Sequence, residues 1–151
     1  MNLSDRLQDL GLSLPSASVP GGAYVSVNVR GSIAYVAIQF PIRDGAYLYQ
    51  GRLGGEISTE DGYQAAQLCA LNVLAQLEKH VSLERIVGIN HFDAYFQAVP
   101  EWDDSPQVID GASDLLVKVL EERGQHTRAI FGVECLPRNF CVGLTATATV
   151  R

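Results

Sequence analysis

The sequence predicts an α+β fold in which a mixed β-sheet carries two helices on one face. Three observations support this class. Segments with a two-residue alternation of apolar and polar side chains, typical of strands, stand near both ends of the chain. Two segments between them repeat apolar residues at helical spacing, and the predicted order is ββ(β)αβαββ. A chain of 151 residues with 47% hydrophobic residues is long enough to bury one core, so we predict a single domain over residues 1–151.

The opening of the chain predicts one short helix and two strands. Residues 4–10 place leucines on one face and end at Gly11, within an N-terminal extension of 14 residues. Residues 23–30 alternate strictly, which puts Tyr24 on the polar face of a strand. Residues 33–40 are apolar at both parities, which predicts a strand buried on both sides.

The middle of the chain predicts a further short strand, two helices and a long strand. The short strand is expected at residues 47–49. A helix is expected over residues 60–79, capped by Ser58 or Thr59. A strand over residues 85–99 follows, and Ser105-Pro106 opens the second helix with a cap residue and a proline at the first helical position.

The last two strands, residues 126–135 and 141–150, are predicted to pair as a hairpin. Apolar residues take the odd positions of the first strand and the even positions of the second. Because a shift of one residue would exchange the faces, this pairing places Arg128 on the same face as Gly143 and the threonines around it.

Arg128 is the strongest candidate for a functional residue. Its predicted face carries small polar residues around a single arginine, and another subunit is the simplest cover for such a face. A guanidinium there would hold a carboxylate through two parallel hydrogen bonds. An arginine at a strand start is also commonly a solvated charge or a structural ion pair, and both interpretations remain open.

Charge and composition argue against several function classes. The chain has 17 acidic and 11 basic residues and a net charge of −6, whereas phosphate binding needs clustered cations. We therefore do not expect a nucleic-acid partner. No run approaches the roughly 20 apolar residues of a membrane span, and the N-terminus lacks the apolar core of a secretory signal, so a cytoplasmic protein without a membrane partner is predicted.

The sequence predicts neither a metal nor a cofactor. Three cysteines without a CxxC spacing fit a reducing compartment and give no sign of a zinc site. His91 and Asp93 share a predicted strand face, but a third ligand is absent nearby, which favours a structural role. There is no glycine-rich phosphate loop or nucleotide fingerprint. Residues 101–104 are expected to form a solvated acidic loop with Trp102 exposed.

Several segments together resemble one family. RAIFGVECLP, beginning at Arg128, resembles the C-terminal signature of the RidA/YjgF family of reactive-intermediate imine deaminases, also called endoribonuclease L-PSP. Residues 22–25 are similar to the glycine-x-tyrosine strand start of that family. Residues 35–41 resemble its strand with a glycine-glutamine-x-proline ending, and residues 62–77 its alanine-rich first helix. The resemblance covers nearly the whole chain from about residue 15.

The resemblance implies a chorismate-mutase-like fold, assembled as a homotrimer with ligand pockets between subunits. In active members, an arginine holds the carboxylate of a 2-imino acid while water attacks the C=N carbon and ammonia leaves. Arg128 matches the carboxylate-binding arginine, and Tyr24 matches a tyrosine of the pocket. The implied partner is therefore a small carboxylate ligand.

Three positions depart from the pattern of the family. Ile38 stands where the family has a glycine, Gly111 where it has an asparagine, and Gly143 where it has the glutamate that positions water. Isoleucine narrows the pocket, although its backbone amide remains a donor. Without a carboxylate at Gly143, general acid–base catalysis lacks its positioned group, and His126 is the nearest titratable substitute.

Two main hypotheses follow from the resemblance and its departures. The chain is either a trimeric imine deaminase, or a non-catalytic member that binds a small acid through Arg128 or acts by assembly alone. A ribonuclease is the least favoured function, because the chain is acidic.

Overall fold

The computed structural model describes residues 2–151 and consists of a five-stranded mixed sheet with two long helices packed on one face. The elements are α1 (Leu3–Asp9), β1 (Val27–Arg30), β2 (Ile33–Gln39), β3 (Ile42–Arg43), β4 (Ala46–Tyr47), α2 (Thr59–His80), β5 (Ile86–Phe96), α3 (Ser105–Leu120), β6 (Thr127–Gly132) and β7 (Val142–Val150). The strand order is β1-β2-β7-β5-β6, and β3 and β4 form a separate two-stranded sheet. Only β5 and β6 run parallel within the large sheet. The predicted α+β class is confirmed.

Helix α2 begins where the sequence predicts it. The Ser58 hydroxyl accepts a hydrogen bond from the Asp61 backbone N–H at 3.0 Å, which satisfies one of the free donors of the first turn. Its alanines are fully buried, as at Ala65, Ala66 and Ala70, and their small side chains allow the helix to lie close to the sheet.

The contact between α2 and α3 requires Gly111. A Cβ atom on this residue would lie 2.1 Å from the carbonyl oxygen of Tyr63, far inside van der Waals contact. The backbone of α3 therefore touches that of α2 directly, and residue 111 is glycine because of packing.

Helix α1 packs on α3 as a short N-terminal element. The Asn2 side chain accepts from the Asp5 N–H at 2.8 Å, and Leu3 and Leu7 are buried. Arg6 donates from Nε to the carbonyl of Lys118 in α3. The predicted short helix is confirmed, and Met1 lies outside the described residues.

The first two strands differ from their predictions. β1 begins at Val27, so Tyr24 precedes the sheet and lies on no strand face. β2 was predicted to be buried on both sides, but Tyr35 is 51% exposed, because the helices cover only the opposite face. The short strand is Ala46–Tyr47, where it pairs with β3.

The predicted hairpin of the last two strands is wrong. β5 lies between them, pairing parallel with β6 and antiparallel with β7. The segment β5-α3-β6 is a strand-helix-strand crossover, and such a connection makes its two strands parallel neighbours. The chain then crosses to the other side of β5 to form β7. Both β6 and β7 are also shorter than the predicted segments.

The register also overturns the predicted face of Arg128. Phe92 in β5 is the partner of Arg128 on one side and of Ala146 on the other. Since partners in register share a face, Arg128 points to the face that α2 and α3 cover. Gly143 is the partner of Tyr95, so Gly143 lies on the opposite, open face.

Candidate functional site

Arg128 lies on the edge strand β6 and is fixed by helix α3. Its Nη1 donates to Asp110 Oδ1 at 2.8 Å and to Ser113 Oγ at 3.0 Å. The arginine side chain is 26% exposed and that of Asp110 is 52% exposed. Nη2 and Nε make no hydrogen bond within residues 2–151. A guanidinium presents these remaining donors as a fork that fits a carboxylate.

Ser113 connects Arg128 to His126. The Ser113 hydroxyl lies 2.9 Å from His126 Nε2, and His126 Nδ1 lies 2.6 Å from the carbonyl of Gly124. The carbonyl can only accept, so Nδ1 carries the proton. A neutral ring then accepts at Nε2 from the hydroxyl, whose oxygen accepts from Arg128. The ring also packs on Phe92, with centroids 4.9 Å apart.

Tyr63 extends this polar cluster to the start of α2. Its hydroxyl donates to Asp114 Oδ2 at 2.6 Å. That hydrogen bond, followed by partial burial and the charges of Asp114 and Asp110, raises the pKa of Tyr63 to about 12. The phenol is therefore neutral at physiological pH and holds α2 to α3.

Gly111 is buried in the helix contact described above, next to this cluster but without a side chain in it. An asparagine at residue 111 would not fit while α2 and α3 keep their distance. The neighbouring residue, Asp110, reaches Arg128 instead. Sequence reasoning missed Asp110 and Ser113, although their three-residue spacing placed them on one helix face.

A second feature is a cavity of about 910 Å³ beside the end of β2, toward the edge of the sheet that lies away from Arg128. Tyr24 and Ile38 line it, together with the aromatic side chains of Phe40, Tyr47 and Phe140. Residues 16–21 form part of its wall. The cavity thus contains two of the residues that the sequence assigned to a ligand pocket.

Two hydrogen bonds hold the wall of the cavity in place. The Ser16 N–H donates to Asp44 Oδ1 at 2.9 Å, and this bond lowers the pKa of Asp44. Gln76, which is buried in α2, donates from Nε2 to the carbonyl of Ser18 at 2.8 Å. The loop that encloses the cavity is therefore tied both to the β3-β4 sheet and to a helix.

Apolar side chains surround Gly143, the position that the family resemblance matches with a glutamate. A Cβ atom on Gly143 would lie 2.8 Å from Phe40 and 2.9 Å from Ile38. Phe40 in turn stacks on Phe140, with centroids 4.9 Å apart and planes 13° from parallel. The space that a carboxylate would need is filled by the chain itself.

The five predicted site residues fall into two groups. Tyr24 and Ile38 line the cavity with Gly143 beside Ile38, whereas Arg128 and Gly111 lie at β6 and α3. Strands β2 and β6 are three neighbour spacings apart in the sheet, roughly 14 Å at the usual spacing. One chain alone does not bring the two groups together.

The face of the sheet away from the helices is open and partly aromatic. Tyr35 and Phe131 are 51% and 46% exposed, and Phe131 stacks on Tyr95 with centroids 5.5 Å apart. On the same face His91 bonds Asp93 at 2.8 Å, and its other nitrogen lies 2.7 Å from Thr127 Oγ1. Within residues 2–151, no group of three His, Cys, Asp or Glu side chains is placed to hold a metal ion.

Arg138 is a charged residue of the cavity that sequence reasoning passed over. It lines the cavity from the turn before β7 and has a left-handed backbone conformation with φ of 56°. Its guanidinium makes no hydrogen bond to the rest of the described chain. The sequence showed only a turn at this point.

Trp102 is half-buried, contrary to its predicted exposure. Its Nε1 donates to Thr59 Oγ1 at 3.0 Å, and its ring packs edge-on against Phe96. A Cβ on Gly54 would lie 2.7 Å from the indole, so this glycine makes room for the ring.

Among the helices of residues 2–151, none has the length and apolar character to cross a membrane.

Comparison with known proteins places these features in context. A family model described as YjgF/chorismate-mutase-like, putative endoribonuclease, matches residues 4–147. Protein TCP17 of Trypanosoma cruzi is 34% identical over 142 residues, which cover 93% of this chain and 89% of that protein.

Solved structures agree with this match. The crystal structure of a putative endoribonuclease from Shewanella oneidensis superposes with a TM-score of 0.96 at 32% identity, covering 99% of this chain and 100% of the other. E. coli TdcF, solved with bound serine, has the same fold with a TM-score of 0.64 at 20% identity, over 91% of this chain and 94% of that one.

Proposed function

Because this chain belongs to the YjgF/chorismate-mutase-like, putative endoribonuclease family, we propose that it binds a small carboxylate-bearing metabolite between the subunits of a cytoplasmic homotrimer. Arg128 of the partner subunit holds the carboxylate. The cavity that contains Tyr24 and Ile38 holds the rest of the ligand.

The observation that carries this proposal is the fixed guanidinium of Arg128. Asp110 and Ser113 bond only its Nη1, which orients the side chain and leaves Nη2 and Nε for a ligand. A side chain that is already ordered loses little conformational entropy on binding, and this strengthens the interaction. Bidentate binding by arginine is the geometry that suits a carboxylate.

Two observations support a site shared between subunits. The two groups of predicted residues lie about three strand spacings apart in one chain, as described above. The open face also exposes the aromatic side chains of Tyr35 and Phe131, and aromatic residues are enriched at protein interfaces. A second copy of the chain would cover this face and bring an edge strand toward a neighbouring cavity. E. coli TdcF, which shares the fold, has bound serine, a small carboxylate.

The apolar surroundings of Gly143 favour binding over hydrolysis. Imine hydrolysis needs a group that positions water within hydrogen-bond reach. Phe40 and Ile38 occupy the space where the glutamate of the family would stand. We therefore propose a binding role as the primary function.

Deamination of 2-imino acids is the second candidate, and one observation favours it. His126 and Ser113 are hydrogen-bonded at 2.9 Å directly beside Arg128. An imidazole and a hydroxyl in this position provide the groups that can position water and transfer a proton.

Calorimetric titration with pyruvate and with serine tests the binding role. Arg128→Ala is expected to weaken binding by about 10- to 100-fold, the range for losing charged hydrogen bonds. Arg30→Ala is the control, since it removes the same charge from the exposed end of β1. Binding that survives Arg128→Ala unchanged would contradict the site.

Ammonia release from enzymatically generated 2-imino acids separates the two candidates. The binding role predicts no acceleration over free hydrolysis. Acceleration that disappears in Arg128→Ala and His126→Gln would instead establish the deaminase. Sedimentation tests the assembly, and a stable monomer at micromolar concentration would contradict the homotrimer.

A further inference from the structure

We propose that the cavity selects an aromatic carboxylic acid, with the ring of the ligand against Tyr47 and its acid group held by Arg138 together with Arg128 of the partner subunit. This inference deepens the proposed function and rests on it, because it places the ligand in the same cavity. It adds the chemical class of the ligand and a second arginine that the sequence did not indicate.

The size of the cavity leaves room for a ligand larger than three or four carbons. Its volume of about 910 Å³ lies at the upper end of the roughly 300–1,000 Å³ of pockets that enclose drug-sized molecules. A small aliphatic acid would fill only a minor part of this space and would leave apolar walls in contact with water. A ligand with a ring buries those walls.

The walls of the cavity have the geometry of an aromatic recognition site. Phe40 and Phe140 are stacked, and Tyr47 meets Phe140 edge-on with centroids 5.2 Å apart. Phe140 is 2% exposed, whereas Tyr47 is 47% exposed and is the ring that a ligand can reach. A ring bound beside Tyr47 would continue this cluster, and aromatic pairs contribute beyond their buried area. Ile38 adds an aliphatic surface from β2.

The lining of the cavity carries one positive and one negative side chain, and only the positive one has donors for an anion. The two side chains are Arg138 and Asp44. One Asp44 carboxylate oxygen already accepts the hydrogen bond from the Ser16 backbone. The Arg138 guanidinium makes no hydrogen bond within residues 2–151, so it is the charged group with free donors at this site.

The turn that presents Arg138 is held in place by buried polar contacts. Arg138 and Asn139 both have positive φ, at 56° and 59°, a conformation that non-glycine residues adopt at a cost. Gln97 is 1% exposed and donates to Asn139 Oδ1 at 2.8 Å, and Gln50 donates to the Arg138 carbonyl at 2.7 Å. Backbone strain that is held in place by surrounding contacts is typical of functional positions.

Calorimetry with three probes tests this inference: phenylacetate, acetate and the neutral phenylacetamide. The wild-type protein is expected to bind phenylacetate at least tenfold more tightly than either of the others. Arg138→Ala should lower the preference for the acid over the amide, while Arg30→Ala should preserve it. Tyr47→Leu should reduce the preference for phenylacetate over acetate, and Tyr47→Phe should not.

Two outcomes overturn the inference. One is a wild-type protein that binds phenylacetate no more tightly than acetate. The other is an Arg138→Ala variant that keeps the full preference for the acid. The proposed function would fail through a different result, namely acetate binding that survives Arg128→Ala. The two failures can therefore be told apart. The ratio of phenylacetate to acetate binding then still tests the ligand class on its own.

Discussion

Replacing Gly111 by alanine reverses the usual effect of this substitution in a helix. In an exposed helical position, glycine to alanine stabilises by about 1 kcal/mol. At Gly111 the new methyl group would lie 2.1 Å from the carbonyl oxygen of Tyr63 and 2.9 Å from its carbonyl carbon. Both atoms belong to the backbone of α2, so the contact cannot be relieved by a change of rotamer.

The magnitude follows from the displacement that this contact requires. α3 must move away from α2 by more than 1 Å before the methyl reaches an ordinary separation. Overpacking of a core typically costs 1–3 kcal/mol, occasionally more, and the backbone contact places this case at the upper end. The higher helix propensity of alanine offsets about 1 kcal/mol of this cost. We therefore expect the free energy of unfolding to fall by roughly 2 kcal/mol.

Urea denaturation measures this loss directly, and Lys118→Ala, on the exposed side of α3, is the control. Roughly 2 kcal/mol corresponds to a fall in Tm of about 4–8 °C for a chain of this size. The control should change stability by less than about 0.5 kcal/mol. A Gly111→Ala protein as stable as the wild type would refute the close contact between α2 and α3.

Three further predictions concern titratable groups. The pKa of Tyr63 is raised to about 12, so its hydrogen bond stabilises the fold fully below pH 10 and is lost as the pH rises from 10 to 12. The free energy of unfolding, measured by urea titration, should therefore fall over this pH range, and it should fall less steeply in Tyr63→Phe. An unchanged pH dependence in the variant would contradict this prediction. Burial raises the pKa of Cys141 to about 12 and also raises the pKa of Cys69 well above its usual value. A thiol reagent at pH 8 should therefore modify only the exposed Cys135 until the protein unfolds. Rapid reaction of a second thiol would be inconsistent with this burial. Asp110→Asn keeps a hydrogen-bond acceptor for Arg128 but removes a negative charge on the far side of the guanidinium from the proposed carboxylate. It should tighten pyruvate binding by about threefold, the effect of removing a like charge roughly 6 Å away in water. Weaker binding in calorimetry would disprove the arrangement.

The sequence predicts the helices better than the sheet. The Ser58 cap and the buried alanines of α2 are local signals, and both are confirmed. Helix α3 also begins at Ser105-Pro106, but Ser105 is its first helical residue and not its cap; the N-cap is Asp104, whose side chain makes no cap hydrogen bond. Alternation gave the buried face of β7 but not that of β6, where Arg128 faces the helices and Phe131 is exposed. It also did not give the neighbours of either strand, because a period of two contains no pairing information. The strand-helix-strand order around α3 was the available sign of a parallel pair.

The candidate site was predicted in its residue types more than in its geometry. The motif beginning at Arg128 indicated the family that the comparisons bear out. The local pattern did not show that Asp110 bonds the guanidinium, because that contact depends on where α3 crosses the sheet edge. Arg138 was hidden for a similar reason, since its role arises from the way the turn before β7 folds beside β2 and β4.

The central claim is that the ligand site is shared between subunits, and mixing two weakly binding variants tests it most directly. Arg128→Ala removes the anchor, and Ile38→Glu places a negative charge in the cavity. Each variant alone should bind pyruvate at least about tenfold more weakly than the wild type. After co-refolding in equal amounts, about a quarter of the sites in random trimers should combine an intact arginine with an intact neighbouring cavity, and calorimetry should recover that fraction of the wild-type stoichiometry. A mixture that binds pyruvate no more tightly than the single variants, although sedimentation shows mixed trimers, would contradict the shared site.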